Sequence, residues 1–212
     1  MAVSFDLFGT LVDADRPAAP WHAVADALAE RDLRVPDDWE AAYRSAHREY
    51  DRGREAPLDE HVRLALASRG VDVTEAGARE AVLAAFDTPV AVRDGARPAL
   101  RAAAARGPVG ICSNCSVPGL VERTLERAAL ADAVPDGFGA VVTSVDCGWR
   151  KPHPEMFAAT ARGLGVPLAD LVHVGDDART DGGAGRVGAQ AVLLENVALP
   201  TIAQQLREGS LC

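Results

Sequence analysis

Residues 2–7 read AVSFDL, a short and largely apolar run that carries Asp6 near its end and is followed by Gly9. Such a run, closed by a turn residue, is typical of a buried β-strand. Comparable runs recur later in the chain, separated by stretches with helical spacing. They are PVGIC at 108–112, GAVVT at 139–143, LVHV at 171–174 and QAVLL at 190–194. This alternation predicts an α/β fold, a doubly wound parallel-sheet (Rossmann-like) core with helices on both faces.

The stretch between about residues 14 and 90 has a different character, because it shows no strand pattern. Four segments in it place apolar residues at helical spacing, i, i+3 and i+4. They are 20–32, 36–52, 57–69 and 74–86. We therefore predict a core domain made of residues 1–13 and 91–212, with an all-helical cap domain of residues 14–90 inserted after the first strand. Ligands bind beyond the carboxyl ends of the strands in such sheets, so the cap is expected to cover the site.

Composition and charge exclude several kinds of partner. The 212 residues, 48% of them hydrophobic, suffice for one α/β domain with an insertion. The net charge is −9 and no basic stretch occurs, so we expect no nucleic-acid partner. No segment approaches the roughly 18 apolar residues of a membrane span, and the start MAVSFDLFGTLV lacks a basic leader. We therefore expect a cytoplasmic protein without membrane contact. Its oligomeric state is left open.

Polar residues follow four of the predicted strands at the point where each strand ends. The groups are Asp6 to Thr10, Ser113-Asn114, Arg150-Lys151-Pro152, and Gly175-Asp176-Asp177 with Asp181. Each group alone has an ordinary explanation as a turn, a helix cap or a solvated charge. A parallel sheet brings the carboxyl ends of its strands to one edge, so the groups should converge there. Crowded carboxylates favour a hard cation with oxygen ligands such as Mg²⁺, and a metal beside an ammonium forms an anion-binding site.

Lys151 is the one lysine among the 22 lysine and arginine residues of the chain. Its ammonium is a compact point charge with three donors, unlike the planar guanidinium. An Arg-biased composition would explain the count by chance, whereas its position among the acidic groups favours a functional role.

The four polar groups, taken in chain order over about residues 3–192, resemble the motifs of the haloacid dehalogenase superfamily of hydrolases. The resemblance is to the branch with a helical cap inserted after the first motif. The matching stretches are FDLFGTL at 5–11, Ser113-Asn114, Lys151-Pro152 with the trailing Glu155-Met156-Phe157, and Gly175-Asp176-Asp177 with Asp181. Any one of these motifs is weak evidence, but the ordered set is specific and covers nearly the whole chain.

The resemblance implies how the reaction and the metal would be supported. Asp6 would attack the electrophilic centre of the substrate and form a covalent aspartyl intermediate. Mg²⁺ would be held by Asp6, the backbone carbonyl of Phe8 and Asp176. Asp177 or Asp181 would support the metal through water. The cation would screen the repulsion between Asp6 and an incoming phosphate.

The resemblance also implies which residues would bind a small phosphorylated substrate. Ser113 would donate a hydrogen bond to a phosphoryl oxygen, and Lys151 would neutralise charge on the transferred group and orient Asp6. Backbone N–H groups of the two loops would complete the anion site. The implied catalytic residues are Asp6, Ser113 and Lys151. The implied substrate-binding residues are Phe8, Gly9, Thr10, Ser113, Asn114 and Lys151.

Phe8 departs from the family pattern. Phosphatases of the family usually carry a second Asp two residues after the nucleophile, which protonates the leaving oxygen and later activates water. Phenylalanine can do neither, and losing general acid–base help costs about 10²–10⁴ in rate. One interpretation is a phosphohydrolase whose leaving group needs no acid there, or whose proton comes from His22 or His47 in the cap.

Two other interpretations stay open. A 2-haloacid dehalogenase expels halide without a proton, carries an aromatic residue at the position of Phe8 and works without metal; Arg44 could then bind the substrate carboxylate. The Gly175-Asp176-Asp177 sequence argues against this, because paired carboxylates there are costly without a cation. Alternatively, the chain is a binding protein that retains the fold, binds phosphate or metal, and has lost turnover.

Overall fold

The structure is a computed structural model that describes residues 1–211, so residue 212, the end of the predicted core segment, lies outside the described residues. Among residues 1–211, no helix is both long enough and apolar enough to cross a membrane. The strands are β1 (Ala2–Phe5), β2 (Val12–Ala14), β3 (Val90–Val92), β4 (Val109–Ser113), β5 (Ala140–Thr143), β6 (Leu171–Gly175) and β7 (Gln190–Leu193).

The helices are α1 (Pro20–Ala29), α2 (Trp39–Arg44), α3 (Leu58–Ala67), α4 (Glu75–Phe86), α5 (Ala96–Ala104), α6 (Leu120–Arg127), α7 (Ser144–Cys147), α8 (Pro154–Gly163), α9 (Gly183–Arg186) and α10 (Leu199–Glu208). Two short 3₁₀ turns, Ala131–Ala133 and Leu168–Asp170, precede β5 and β6.

Five strands form one parallel sheet in the order β5-β4-β1-β6-β7, which confirms the predicted fold class. The chain first moves from the central strand β1 outward through β4 and β5. It then returns to the other side of β1 and moves outward through β6 and β7. The strand order therefore reverses around β1, and the crevice beyond its carboxyl end is where such sheets bind ligands.

Alternate residues of the central strands face opposite sides of the sheet. Val3 and Phe5 point to the side covered by α5 and α10, here called the α5 face. Ala2 points to the side covered by α8 and α9, here called the α8 face, where Phe157 contributes to a smaller buried cluster. Each face is thus covered by helices, as strands buried on both sides require.

The helices α1 to α4 lie between two short strands, β2 and β3, which pair in an antiparallel manner. The sequence predicted these four helices but not the β2–β3 pair, whose strands have only three residues each. The buried cluster of the α5 face continues from Val3 into residues of the inserted helices such as Val24 and Val62. The boundary between core and cap at residues 13/14 and 90/91 stays a prediction.

The predicted helix over 36–52 is wrong in its length, because α2 ends at Arg44. Ser45 directly after the helix has extended backbone geometry, and residues 53–58 further along contact the core. Three backbone hydrogen bonds make this contact: Glu55 N–H to Gly148 O, Arg150 N–H to Gly53 O, and Leu58 N–H to Ser116 O. All three bonds lie beyond residue 52, and amphipathic spacing alone does not reveal where the helix ends. Residues 53–58 are called the docking segment below.

Candidate active site at the carboxyl edge of the sheet

The four polar groups meet at the carboxyl edge of the sheet, each placed by the strand or loop that precedes it. Asp6 directly follows β1, and its N–H donates to Val174 O at 2.8 Å, which extends the pairing of β1 with β6 by one residue. Ser113 is the last residue of β4, and Asp176 directly follows β6. Lys151 reaches the edge from the loop between α7 and α8, and its peptide bond to Pro152 is cis.

The Lys151 ammonium is buried and surrounded by three acceptors. Its Nζ lies 2.7 Å from the Cys112 carbonyl oxygen, 2.6 Å from Asp181 Oδ1 and 3.0 Å from Asp6 Oδ1. Only 1% of the side chain is exposed. Burial alone would lower the pKa of Lys151, but the charges of Asp6 and Asp181 outweigh it and raise the pKa. Lys151 therefore remains charged and neutralises the carboxylates on both sides of it.

Asn114 fixes the Lys151 backbone through a pair of hydrogen bonds. Its amide nitrogen donates to Lys151 O at 3.1 Å, and its amide oxygen accepts from Lys151 N–H at 2.7 Å. The sequence predicted Asn114 as a contributor of a backbone N–H to the anion site. Its side chain has a different task, which is to join the loop after β4 to the loop that carries Lys151.

Asp181 is buried within a hydrogen-bonded chain on the α8 face. His173 Nε2 lies 3.0 Å from Asp181 Oδ1, and His173 Nδ1 lies 2.9 Å from Ser4 Oγ. Asp181 Oδ2 accepts from the Asp177 N–H at 3.0 Å. Burial alone would raise the pKa of Asp181, but the hydrogen bond from His173 and the charge of Lys151 outweigh it and hold the pKa below its usual range. Burial lowers the pKa of His173.

Two glycines allow the carboxylates to approach the loops closely. Gly9 has a left-handed backbone with φ of 84°, and a Cβ there would lie 2.5 Å from Asp176 Oδ2. A Cβ at Gly175 would lie 2.1 Å from Asp181 Cγ. Side chains at either position would therefore displace a carboxylate of the site.

Asp176 is the most exposed of the three clustered carboxylates, which also include Asp6 and Asp181. One oxygen of each lies within 4.8 Å of the others, a spacing that could hold a metal ion. Thr10 Oγ1 donates to Asp176 Oδ1 at 3.0 Å. Partial burial and the nearby charge of Asp6 raise the pKa of Asp176. The oxygen-only donor set and the mutual repulsion both suit a hard divalent cation.

Two buried oxygen atoms in the site have no hydrogen-bond partner among residues 1–211: Ser113 Oγ and Asp6 Oδ1. The contact of Asp6 Oδ1 with Lys151 at 3.0 Å is therefore an ion pair without hydrogen-bond direction. Buried polar atoms are nearly always paired in folded proteins. A hydroxyl and a carboxylate oxygen that both lack a hydrogen bond, at the ends of the neighbouring strands β4 and β1, indicate a place built for a ligand.

Other predicted residues lie elsewhere. Asp177 directs its carboxylate to its own turn, where it accepts from Arg179 N–H at 2.8 Å, and the hydrogen bonds from Arg179 lower the pKa of Asp177. His47 Nε2 contacts Ala42 O at 2.6 Å. His22 packs against the Trp21 ring, and the Arg44 guanidinium lies 4.0 Å from the centroid of that ring. Within the described part of the chain, the cavity beside Asp176 is not lined by His22, His47 or Arg44.

That cavity has a volume of about 410 Å³, and its lining includes Asp176 of the carboxylate cluster and Phe86 of the inserted helix α4. Phe8, Gly9 and Asn114 also line it. Phe86, Val117 and Leu120 form an apolar wall, and the charged groups on its lining are Asp13, Asp15, Arg16, Arg150 and Asp176. Phe8, two residues after Asp6, therefore borders the space that a bound ligand would occupy.

Sequence reasoning missed Ser4, His173 and Glu55, all of them buried. His173 and Ser4 lie inside runs that were interpreted as apolar strands. A polar side chain within a fully buried strand was the available signal, because such groups need an internal partner. Glu55 lay within no motif, and nothing in the local sequence pairs it with Arg150.

Comparisons with known proteins were consistent with the motifs. A family model described as haloacid dehalogenase-like hydrolase matches residues 1–188. A stretch of 57 residues is 44% identical to the 5-amino-6-(5-phospho-D-ribitylamino)uracil phosphatase YigB of Escherichia coli. This match covers 26% of the chain and spans only 24% of the length of that relative.

Among the similar solved structures, two that match nearly the whole chain are named for different reactions. A 2-haloacid dehalogenase from Pseudomonas syringae pv. Tomato has a TM-score of 0.65 at 24% identity, with 98% of this chain and 96% of that chain covered. A HAD phosphatase from Thermococcus onnurineus has a TM-score of 0.57 at 21% identity, with the same coverage, 98% and 96%. At these identities the likeness concerns the fold, and it includes proteins named for two different reactions.

Proposed function

The chain belongs to the haloacid dehalogenase-like hydrolases, and from this premise we propose that it is a Mg²⁺-dependent phosphohydrolase. Its substrate is a small phosphorylated metabolite, and the reaction passes through an aspartyl-phosphate on Asp6. One observation carries the proposal: Asp6 and Asp176 crowd together beside a buried ammonium and the unpaired Ser113 hydroxyl. Carboxylates require a cation at this distance, and the ammonium and hydroxyl suit a phosphoryl group.

The residues present fit the proposed Mg²⁺. Asp6 and Asp176 would hold it directly together with the Phe8 carbonyl, and the Thr10 hydroxyl orients Asp176. Asp181 would contribute its charge, because both of its oxygens already accept hydrogen bonds from protein groups. When bound, the cation reduces the repulsion between the phosphate and the attacking carboxylate.

Each step of the reaction then has a protein group to support it. A carboxylate oxygen of Asp6 attacks phosphorus, the bond from phosphorus to the leaving oxygen breaks, and the leaving group departs with the bonding electrons. Lys151 offsets the negative charge on the transferred phosphoryl group, and Ser113 donates a hydrogen bond to one of its oxygens. Water then hydrolyses the acyl phosphate and regenerates Asp6.

Phe8 narrows the substrate class. It lines the cavity where a leaving group would lie, and its ring cannot supply a proton. Within the described residues, the histidines of the inserted helices do not line this cavity, so they offer no replacement at this position. We therefore favour leaving groups that depart as stable anions, such as the carboxylate of an acyl phosphate or the phosphate of a phosphoanhydride.

The second candidate is a 2-haloacid dehalogenase, and Phe8 is the observation that favours it, because halide leaves without a proton. Asp176 weighs against it. A carboxylate whose pKa is raised beside Asp6 is a destabilising element for an enzyme that works without metal. Loss of turnover with retained metal binding is the third outcome that an experiment must separate.

A substrate panel with and without Mg²⁺ tests these candidates. The panel contains acetyl phosphate, p-nitrophenyl phosphate and 2-chloropropionate. The metal-free arm contains EDTA at roughly 5 equivalents or more over metal, which removes bound cation. We expect phosphate release from acetyl phosphate only with Mg²⁺. The substitution Asp6→Asn should abolish it, whereas Asp136→Asn, an exposed carboxylate away from the site, should not.

The alternatives give different results in the same assay. Chloride release that survives EDTA would establish the dehalogenase and refute the metal assignment. A folded protein that binds Mg²⁺ but turns over no substrate of the panel would favour the binding protein.

A further inference from the structure

The carboxylate that pairs with Lys151 is itself held by two buried polar residues on the α8 face. Ser4 and His173 are completely buried and lie opposite each other on the paired strands β1 and β6. From them a continuous chain of contacts runs through Asp181 to the Lys151 ammonium and on to Asp6. We propose that His173, oriented by Ser4, is a positioning residue that fixes Asp181 and thereby holds the Lys151 ammonium against Asp6.

The protonation pattern of this chain follows from its chemistry. Asp181 is ionised, so its oxygens can only accept hydrogen bonds. His173 must therefore carry its proton on Nε2, which donates to Asp181 Oδ1 at 3.0 Å. The buried ring is neutral, so Nδ1 is an acceptor, and the Ser4 hydroxyl donates to it at 2.9 Å. Each ring nitrogen of His173 thus has one hydrogen-bond partner, with Nε2 as the donor and Nδ1 as the acceptor.

This arrangement determines where Asp181 can hold the ammonium. Oδ1 accepts from both His173 and Lys151, while Oδ2 accepts from the Asp177 N–H. Without the donor from His173, the Asp177 N–H would be the one fixed donor to the carboxylate, and Oδ1 would be held by the same flexible ammonium that it has to position. The ammonium donates to Cys112 O and Asp181 Oδ1 and lies 3.0 Å from Asp6 Oδ1, so a shift of Asp181 moves the charge relative to Asp6.

A purely structural role for His173 makes a different prediction. The His173 ring packs edge-on against Phe157, with 5.3 Å between ring centroids. If His173 only filled space, shortening Phe157 and replacing His173 by an apolar residue would act alike. If His173 acts through Asp181, only loss of the ring N–H donor should change how firmly the Lys151 ammonium is held. Phe157→Leu is therefore the matched control.

The first measurement is kinetic and rests on the proposed function. We expect His173→Leu to lower kcat for acetyl phosphate with Mg²⁺ about tenfold while KM changes less than about twofold, the range seen for residues that orient functional groups from behind. His173→Gln keeps a donor at a similar reach and should restore kcat to within about threefold of wild type. Phe157→Leu should keep wild-type kcat at a temperature where it is folded.

The second measurement needs no substrate, because Lys151 is the only lysine in the chain. Protein labelled with ¹⁵N-lysine gives a single side-chain ammonium signal by NMR. Burial and three acceptors should protect that signal from exchange with water in the wild type. We expect His173→Leu to accelerate this exchange about tenfold or more, with protection retained in His173→Gln and Phe157→Leu.

The two measurements separate the inference from the function on which the first depends. Unchanged ammonium exchange in His173→Leu would overturn the positioning role, whatever the activity. Equal acceleration in Phe157→Leu and His173→Leu would overturn it as well, because packing alone would then explain the effect. If the wild type hydrolyses no acetyl phosphate, the proposed function fails while the exchange experiment still decides the role of His173.

Discussion

Arg150 and Lys151 are neighbours in sequence, yet their side chains form ion pairs in two different environments. Lys151 points into the core, where 1% of its side chain is exposed and its partners Asp6 and Asp181 both come from the ends of sheet strands or the turn beyond. Arg150 points to the docking segment and pairs with Glu55 at 2.8 Å, with 45% of its side chain exposed. One short loop thus holds both the site and the contact with the inserted stretch.

The two pairs differ in what surrounds the carboxylate. Asp181 is held by an ammonium, an imidazole and a backbone N–H. Glu55 is equally buried, at 1% side-chain exposure, and accepts from Arg150, from the Ser144 hydroxyl and from the Ala56 N–H. A buried carboxylate tolerates loss of a neutral partner better than loss of its counter-charge. The comparison therefore predicts that removing either cation costs more than removing a neutral partner of the same carboxylate. Loss of Lys151 should affect activity and stability, and loss of Arg150 mainly stability.

Lys151→Met should have the largest effect. It removes the positive charge beside Asp6 and leaves two buried carboxylates without their cation. We expect kcat/KM to fall by about 10³-fold or more, as for loss of a preorganised charge-stabilising group. The free energy of unfolding should fall by about 3–5 kcal/mol, the cost of breaking a buried pair. Steady-state kinetics and urea denaturation measure the two effects.

Arg162→Met is the matched control, because it breaks an ion pair with Glu155 on the surface. Its side chain is 64% exposed, so the cost should stay below about 1 kcal/mol. A Lys151→Met protein that loses no more stability than this control would show that the buried cluster is held together without the ammonium.

Phe8→Asp tests the site while leaving both ion pairs in place. An acid two residues after Asp6 would face the cavity and could protonate a leaving oxygen. We expect hydrolysis of an alkyl phosphate such as glycerol 3-phosphate, whose alkoxide leaving group needs a proton, to rise by about 10²-fold, the lower end of general acid–base contributions. Phe8→Asn has a similar shape without the acid, so an equal rise in that variant would contradict the explanation.

How much of this site the sequence predicts can be seen residue by residue. Asp6, Ser113 and Asp176 end strands of a parallel sheet, so topology alone predicts that they share an edge, and the structure places them there. Lys151 sits on a loop, and its direction toward Asp6 followed only from the resemblance. These predictions used local pattern and sheet geometry, which the sequence carries directly.

The remaining features depend on contacts between distant segments. Glu55 meets Arg150 across 95 residues, and Ser4 meets His173 across 169. Local periodicity carries no information about such pairs. The docking segment depends on such contacts as well, because Gly53 and Glu55 form backbone hydrogen bonds with a loop about 90 residues further along the chain.

Arg150→Met should have a smaller effect than Lys151→Met, and mainly on stability. It leaves Glu55 buried with neutral partners only. Since the arginine is half-exposed, we expect a loss of about 1–3 kcal/mol, between the values for exposed and buried pairs. Urea denaturation measures it. The double variant Arg150→Met with Glu55→Gln should recover part of the loss, and failure to recover any would show that the pair does not couple the docking segment to the core.

Acidification should produce the smallest effect on the free energy of unfolding. It tests the Lys151 cluster, because His173 in that cluster titrates and the Glu55–Arg150 pair contains no histidine. The pKa of His173 is lowered from 6.5 in the folded protein, so below pH 6.5 the unfolded chain binds a proton that the folded chain does not. Stability should therefore fall as the pH drops below 6.5, by at most about 1.4 kcal/mol per pH unit for one proton. Asp181, whose pKa is lowered from 3.8, contributes stability above that pH and loses it only as the pH falls further.

The measurement is the free energy of unfolding by urea at pH 7.5 and pH 5, in the presence of EDTA, for the wild type and for His173→Gln. Glutamine does not titrate, so the decline between these two pH values should be smaller in the variant. Equal declines would mean that other groups cause the acid sensitivity and that the imidazole is not held neutral. Because the remaining titrating groups are common to both proteins, the difference between the two slopes isolates the proton that burial beside Asp181 keeps off His173.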